Sequence, residues 1–407
     1  MKRALDVLRS PWSWIVLGTL LRLAHILSLG NRYYFGDTLE YEAAALRILH
    51  GMGIDSTSPR APLYPLFMAL SFWIGGEGNY FVARLLKLLL AVALMIVVSR
   101  LAGRMGGRAA ATLAAMAVAV APTIVFVSGL LYPTTLYMLL LAGLTRVAWE
   151  LGESPSGRHG ATFGLLLALG WLTDQVLLAP AAAIGVYLLI RMRRLGVPLA
   201  RALTVGAFVA AAVALPYLMS LHRLGSDRVF MRKAQSVLHS ARTDPVLAQE
   251  RWVHFAPGTL FEPKSPQGFA RQEGTLFVRQ PIAYLHDVTW EFLHFFRPVP
   301  DRIQTENRFT QPVVLYLGGL YFLTLLTLAI LGLGFGEGPR RGRLLLAGMV
   351  LATAGFYAFF FTQARYRIPV EPQLIVLAAL GVKRAFPRLT EFLSGHDTGA
   401  GPGIPPA

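Results

Sequence analysis

Hydrophobic runs of about 20 residues, the length an α-helix needs to cross a bilayer, recur along most of this chain. The 407 residues are 55% hydrophobic and only 15% charged. A soluble protein of this size does not bury so large a share of apolar side chains. We therefore predict an all-α polytopic membrane protein.

About ten transmembrane helices are predicted from these runs. They cover roughly 11–29, 79–101, 109–127, 130–149, 160–174, 176–191, 199–221, 312–334, 344–362 and 368–386. The first run is longer than the apolar part of a signal peptide and lacks a cleavage motif, so we interpret it as a retained anchor helix. Arginines cluster in alternate loops, as at Arg104, Arg193 and Arg341. The positive-inside rule places these loops and both termini in the cytoplasm.

Two long loops on the opposite face divide the chain. A transmembrane module of about seven spans is predicted over 1–221, and it includes the first periplasmic loop at 30–78. A periplasmic loop region of mixed structure follows at 222–311, and C-terminal transmembrane helices follow at 312–388. The Gly/Pro-rich residues 389–407 predict a disordered cytoplasmic tail.

Both outer loops contain segments with apolar residues at helical spacing. Asp37-Thr38-Leu39-Glu40 resembles a capping box, which predicts an interfacial helix over 38–49. A second helix along the membrane surface is predicted from Phe277 to Phe296.

Composition also limits the cofactors and partners of the chain. Cysteine is absent, which excludes disulfides, thiolate metal sites and cysteine nucleophiles. The histidines of the late loop match no metal-binding spacing. We therefore predict no cofactor, with a divalent metal as an alternative that no motif indicates. The net charge of +16 is explained by basic cytoplasmic loops, and no pattern of a nucleic-acid-binding domain is present.

Asp37 follows the first span and has two interpretations. As the first residue of a capping box, its carboxylate accepts backbone N–H bonds and is a poor base. As a general base, it needs partial burial and an oxygen available to an acceptor hydroxyl. The nearby aromatic residues, among them Tyr41, suit either a membrane-interface belt or a wall on which a sugar stacks.

Four arginines near the outer face are candidates to bind a phosphate. Arg60 precedes Ala-Pro-Leu-Tyr-Pro, whose two prolines make a rigid turn, although an arginine that snorkels at a helix entrance is the alternative. Arg84 lies one turn inside the second span. Arg365 and Arg367 lie on the outer face against the positive-inside trend, which indicates an anionic partner. Glu371 is four residues after Arg367 and is expected to pair with it, leaving Arg365 available.

The remaining candidates for substrate contacts are aromatic or acidic residues near the same face. Tyr132 opens the fourth span beside Pro133, which is an ordinary helix start. Asp174 lies between two short spans and is either a solvated loop acid or a substrate contact. The full set of substrate-binding candidates is Tyr41, Tyr64, Tyr132, Asp174, Tyr366 and Glu371.

From about Trp12 to Ala385, the chain resembles the GT-C glycosyltransferases of the protein O-mannosyltransferase and aminoarabinose-transferase type. The shared pattern begins with a first-loop Asp, a Tyr and a Gly-ended helix, here Asp37, Tyr41 and Gly51. A basic residue before Pro-Leu-Tyr-Pro and an Ala-Arg-Leu follow, here at 60–65 and 83–85. The pattern ends with Arg-Tyr-Arg-x-Pro-x-Glu-Pro at 365–372.

This resemblance implies a GT-C-type helical bundle in a bacterial inner membrane, with its active site on the periplasmic face between the two outer loops. The donor would be a polyprenyl-phosphate sugar, and the acceptor a lipid, a glycan or a protein. The first-loop Asp would be the catalytic base, the basic residues would bind phosphate, and attack opposite the phosphate would invert the anomeric centre. Relatives often have an acid at the outer start of the fourth span, where this chain has Tyr132-Pro133-Thr134. If the relatives use that acid on the acceptor, Asp174 or a late-loop acid would take its place here.

Two other functions fit part of the pattern. An O-antigen ligase or polymerase also has a long late outer loop with arginines, but it does not need the first-loop Asp and the arginine before the proline turn. A transporter or flippase of lipid-linked sugars would use the arginines for binding without bond cleavage. The absence of a visible internal repeat weighs against a symmetric transporter.

Overall fold

The computed structural model describes residues 7–53, 60–224, 242, 266–299, 312–360 and 362–394. All regular secondary structure within these residues is helical. The predicted all-α fold is therefore confirmed. Most of the late outer loop, together with the end of the predicted tail, lies outside the described residues.

The described residues form a bundle of α-helices. In chain order they are α1 (Pro11–Leu29), α2 (Asp37–Leu49), α3 (Leu63–Gly75), α4 (Tyr80–Val120), α5 (Pro122–Gly129), α6 (Thr134–Glu153), α7 (Gly157–Trp171), α8 (Leu178–Leu224), α9 (Pro266–Arg279), α10 (Pro281–His294), α11 (Pro312–Phe335), α12 (Arg340–Ala358), α13 (Glu371–Ala385) and α14 (Pro387–Ser394). Two 3₁₀ turns, Gln175–Leu177 and Ala364–Val370, precede α8 and α13.

Four helical stretches among the described residues are long and apolar enough to cross a membrane by length and composition. They are Pro11–Leu29, Tyr80–Val120, Gln175–Ser220 and Val313–Phe335. The second and third are bent at Gly107 and Gly196, whose φ angles of 77° and 49° favour glycine. Each of these two therefore contains two of the predicted spans.

The bend at Gly107 reverses the chain direction within α4. The Ser99 hydroxyl donates to the Ala111 carbonyl at 3.0 Å. Twelve residues of straight helix would separate these positions by about 18 Å. The basic segment around the bend, which includes Arg104 and Arg108, is thus a tight connection between two antiparallel spans.

Small residues let α7 and the second half of α8 approach closely. A Cβ added at Gly160 would lie 2.0 Å from the Ala202 carbonyl oxygen. One added at Gly164 would lie 2.0 Å from the Gly206 carbonyl oxygen. This is the small-xxx-small arrangement typical of membrane helix pairs, in which glycine permits backbone contact.

Arg22 is a fully buried cation within the first span that the sequence analysis did not single out. Its guanidinium donates to the carbonyls of Gly18 and Ala119 at 3.0 Å and of Val118 at 2.8 Å. The last two carbonyls lie at the end of α4, where Pro122 cannot donate a backbone N–H to continue the ladder. Arg22 thus satisfies carbonyls that the break between α4 and α5 leaves unpaired.

Of the two predicted interfacial helices, the first is present as predicted and the second is divided into two. The helix expected over 38–49 is α2, Asp37–Leu49. The single helix expected from Phe277 to Phe296 is instead divided, because Pro281 begins a new helix, α10. The predicted disordered tail begins too early, since α14 continues to Ser394.

Candidate active site

The start of α2 leaves the Asp37 side chain without a capping role. Gly36 is the N-cap residue, and α2 has no side-chain cap hydrogen bond. Asp37 is already the first helical residue and does not occupy the position from which a side chain caps the helix. The capping interpretation of Asp37 is therefore wrong, and both of its oxygens are available for other partners.

The Asp37 carboxylate lies between two arginines from distant parts of the chain. Its Oδ1 is 3.5 Å from Arg60 Nη2, and its Oδ2 is 3.4 Å from Arg365 Nη1. The Asp37 side chain is 35% exposed, so the pair of contacts is accessible from solvent. The first outer loop and the segment before α13 therefore meet at one carboxylate.

Arg60 is the most fully engaged cation of this cluster. Its Nε and Nη2 contact Glu40 Oε2 at 2.9 and 2.8 Å. Its Nη1 donates to the Tyr41 hydroxyl at 3.2 Å, and the guanidinium lies 4.7 Å from the Tyr41 ring centre. These oxygen atoms raise the pKa of Arg60 despite its burial, which acts in the opposite direction.

The proline turn after Arg60 is hydrogen-bonded to the short connection between α7 and α8. The Leu63 N–H, directly after Pro62, donates to the Leu172 carbonyl at 2.9 Å. Two residues further on, Asp174 Oδ1 accepts from the Val176 N–H at 3.0 Å and caps the 3₁₀ turn. Burial raises the pKa of Asp174, while that hydrogen bond and the charge of Arg60 oppose the shift. Asp174 therefore lies within the electrostatic reach of the cluster.

Aromatic rings line the inner side of the cluster. Tyr41 packs edge-on against Tyr64 with ring centres 5.1 Å apart, and Tyr132 lies 6.4 Å from Tyr41 and 6.3 Å from Phe35. Burial raises the pKa of Tyr41 to about 12. Burial and the charge of Asp37 raise the pKa of Tyr132. Tyr64 has no exposed surface, so it supports Tyr41 from below instead of making the predicted substrate contact.

Arg365 and Tyr366 form the opposite side of the cluster on the 3₁₀ turn before α13. The Tyr366 ring stacks on Tyr357 with centres 4.5 Å apart and an interplanar angle of 7°. The Arg365 guanidinium lies 5.5 Å from the Tyr366 ring centre, and its side chain is 50% exposed. Arg365 thus lies beside the Tyr366 ring and contacts Asp37.

Arg367 and Glu371 form the predicted pair, but inside the protein. Arg367 is 4% exposed and Glu371 is fully buried, with Nε and Oε1 at 3.6 Å. Arg367 also donates to the Arg297 and Pro298 carbonyls, while the Thr123 hydroxyl donates to Glu371. The structure therefore gives both residues a structural role in place of the predicted phosphate and substrate contacts.

Arg84 is likewise buried and committed to backbone carbonyls. It donates to Gly129 at 2.8 Å, to Gly30 at 2.7 Å and to Arg32. Its neighbour Lys87 donates to the carbonyls of Val127 and Leu130. These cations satisfy the carbonyl end of α5 and hold the turn that carries Tyr132. Arg84 is thus a structural residue in place of the predicted phosphate ligand.

Glu40 belongs to the site as a partner of Arg60, a contact that the sequence analysis did not predict. The capping-box pattern relates Glu40 to Asp37 alone. The spacing of three residues between Asp37 and Glu40 places both carboxylates on one face of a helix. That spacing is the signal that would have indicated a paired acidic surface facing Arg60.

The carboxylates of the cluster are bound to arginines. Among the described residues, no group of three or more acidic or histidine side chains is arranged to hold an ion. Asp37 and Glu40 both contact Arg60, so a cation between them would meet a guanidinium.

The fold has relatives among solved structures. ArnT from Cupriavidus metallidurans, bound to undecaprenyl phosphate, matches with a TM-score of 0.58 at 18% identity, covering 92% of this chain and 61% of ArnT. The oligosaccharyltransferase AglB from Archaeoglobus fulgidus, in complex with an inhibitory peptide and a dolichol-phosphate, matches with a TM-score of 0.55 at 14% identity. That match covers 93% of this chain and 50% of AglB. The chain has a GT-C fold.

A family profile adds sequence similarity to this GT-C fold. Residues 59–219 match the family described as dolichyl-phosphate-mannose-protein mannosyltransferase, which supports the resemblance inferred from the motifs. The matched segment contains Arg60 and Tyr132, whereas Asp37 and Arg365 lie outside it. No curated protein sequence matches the chain. The chain spans about 60% of the length of ArnT and half that of AglB.

Proposed function

We propose that this chain is a membrane glycosyltransferase that moves a sugar from a polyprenyl-phosphate donor to an acceptor hydroxyl. The observation that carries the proposal is the position of the Asp37 carboxylate, uncapped and within 3.5 Å of both Arg60 and Arg365. A carboxylate and two cations on one surface that solvent reaches supply a base and an anion site for the same bound molecule. The GT-C relatives bound to undecaprenyl phosphate or dolichol-phosphate support a lipid-phosphate donor.

The reaction follows from these groups. Asp37 accepts the proton of the acceptor hydroxyl as its oxygen attacks the anomeric carbon of the sugar. The bond between that carbon and the phosphate oxygen breaks, and the electron pair leaves with the polyprenyl phosphate. Arg60 and Arg365 neutralise the negative charge that develops on the phosphate, because guanidinium groups bind phosphate oxygens in pairs. Attack from the side opposite the phosphate inverts the anomeric centre.

The site would lie on the periplasmic face of a bacterial inner membrane. Support comes from the alternation of basic loops, which places the first outer loop and the segment before α13 on the face opposite Arg104 and Arg341. The proposed acceptor is a lipid, a glycan or a protein that reaches this face. Neither Arg84 nor Arg367 belongs to the proposed phosphate site, because their buried guanidiniums already bind carbonyls.

A flippase for lipid-linked sugars is the alternative that uses the same cations. It would bind the phosphate at Arg60 and Arg365 but would not require a base at Asp37. The absence of a side-chain cap on α2 favours the transferase, because Asp37 keeps oxygens for proton transfer.

An Asp37→Asn variant tests the base. The full chain is purified in detergent and assayed for release of polyprenyl phosphate across a panel of prenyl-phosphate sugars and acceptors. We expect a loss of about 10²- to 10⁴-fold in turnover, the usual contribution of a general base. Glu77→Gln, at an outer-face acid that pairs with His50, is the matched control and keeps its activity. Full turnover by a folded Asp37→Asn variant would remove Asp37 from the mechanism.

A further inference from the structure

Every nitrogen of the Arg60 guanidinium already has an oxygen partner within the protein. Nε and Nη2 both contact Glu40 Oε2, Nη1 donates to the Tyr41 hydroxyl, and Nη2 is 3.5 Å from Asp37. A phosphate that binds an arginine by two parallel hydrogen bonds needs two adjacent nitrogens. The edge formed by Nε and Nη2 satisfies that requirement, and Glu40 occupies it.

The charges of the cluster indicate that one carboxylate leaves when a phosphate arrives. Asp37 and Glu40 balance Arg60 and Arg365, so the four side chains together are neutral. An added phosphate with Glu40 in place would create an excess of negative charge around a partly buried guanidinium. Since Arg60 is only 21% exposed, water screens that repulsion incompletely.

Glu40 is the acid that is able to leave. Its side chain is 45% exposed, compared with 35% for Asp37, and it has one more rotatable bond. Asp37 contacts arginines from two different elements, at 3.5 and 3.4 Å, whereas the 2.8 Å contact of Glu40 with Arg60 lies within the first outer loop. Rotation of Glu40 into water releases the paired nitrogens without moving α2.

From this geometry we infer that Glu40 is a resident anionic ligand of Arg60 that a lipid phosphate displaces. The inference rests on the proposed function, and it adds a residue that sets donor affinity without taking part in bond cleavage. Glu40 keeps the Arg60 guanidinium in position between substrates, and the phosphate then takes the same nitrogens. Binding of the lipid phosphate therefore competes with an internal carboxylate.

The test measures the affinity of undecaprenyl phosphate for the full chain in detergent, at about 0.15 M salt to screen distant charges. Glu40→Gln and Glu40→Ala are expected to bind it two- to fivefold more tightly, the size of effect that a partly exposed ion pair supports. Glu42→Gln, on the same helix but bonded to Tyr80, is the matched control and keeps wild-type affinity. In an Arg60→Ala background, the Glu40 substitutions are expected to have no effect.

The outcomes separate this inference from the proposed function. Unchanged or weaker binding by both Glu40 variants overturns the displacement of Glu40 while leaving Arg60 as a phosphate ligand. Wild-type affinity in Arg60→Ala overturns the phosphate site itself. Inorganic phosphate at the same concentration is expected neither to bind nor to compete. Equal competition by inorganic phosphate would show a general anion site and overturn the assignment to a lipid phosphate.

Discussion

Replacement of Arg367 by alanine should destabilise the protein without changing how a folded molecule binds a lipid phosphate. Arg367 is 4% exposed, and its removal leaves Glu371, which is fully buried, without its cation. The Thr123 hydroxyl is then the remaining hydrogen-bond donor to that carboxylate in the structure. An unpaired buried charge of this kind costs about 3–5 kcal/mol.

The substitution also removes two links to the end of the late outer loop. Arg367 donates to the Arg297 and Pro298 carbonyls and lies over the Phe322 ring at 3.6 Å. A double variant, Arg367→Met with Glu371→Leu, replaces both charges by apolar side chains and avoids the unpaired carboxylate. We expect the double variant to be more stable than either single variant, because the two charges are costly only when separated.

Thermal unfolding in detergent and lipid-phosphate affinity together decide the role of Arg367. Arg365→Ala is the matched comparison, since its side chain is 50% exposed and its loss costs about 0–1 kcal/mol of stability. Arg365→Ala should therefore keep the melting temperature and lose affinity, and Arg367→Ala should do the reverse. An Arg367→Ala protein that melts like wild type but no longer binds the lipid phosphate would refute the structural role.

Two further predictions follow from packing and from titration. Gly164→Ala places a methyl group 2.0 Å from the Gly206 carbonyl and should lower stability by about 1–3 kcal/mol in thermal unfolding, whereas Gly185→Ala, with open space around it, should not. The raised pKa of Asp174 means that the folded protein binds this proton more tightly than the unfolded chain does. Wild-type stability should then fall as pH rises from the ordinary value of 3.8 through the raised pKa, and Asp174→Asn should lack this loss in melting curves taken across that range. Parallel pH curves for the two proteins would contradict the burial of Asp174, and a Gly164→Ala protein as stable as Gly185→Ala would contradict the close helix contact.

Hydrophobic periodicity predicted the membrane architecture because it reports directly on burial in lipid. Helices lie at the predicted spans, including the pair that Gly107 separates, but the predicted span at 109–127 is divided between α4 and α5. Local turn chemistry was also readable from the sequence. Gly51, expected to end the interfacial helix, follows α2 with a φ of 73°. These features depend on residues close together in the chain, so a single sequence contains the information for them.

The roles of the individual arginines required the tertiary structure. Arg60, Arg84 and Arg367 all looked like phosphate ligands, since each is a cation near the outer ends of the spans. In the structure, Arg84 and Arg367 bind backbone carbonyls of loops and helix ends, and Arg60 contacts the partly exposed carboxylate of Asp37. A sequence shows that a cation is present, but not which oxygen it neutralises.

Asp37 also shows which properties the sequence determines and which depend on the tertiary structure. The sequence by itself determined an acid at the start of an interfacial helix, after a membrane span and ahead of a rigid arginine-bearing turn. It left open whether the carboxylate caps the helix, because the choice of N-cap depends on a shift of one residue. The tertiary structure decided this by beginning α2 at Asp37, and it brought Arg365, 328 residues further along the chain, to the same carboxylate. Contacts at that separation arise from the packing of the whole bundle and not from local preference.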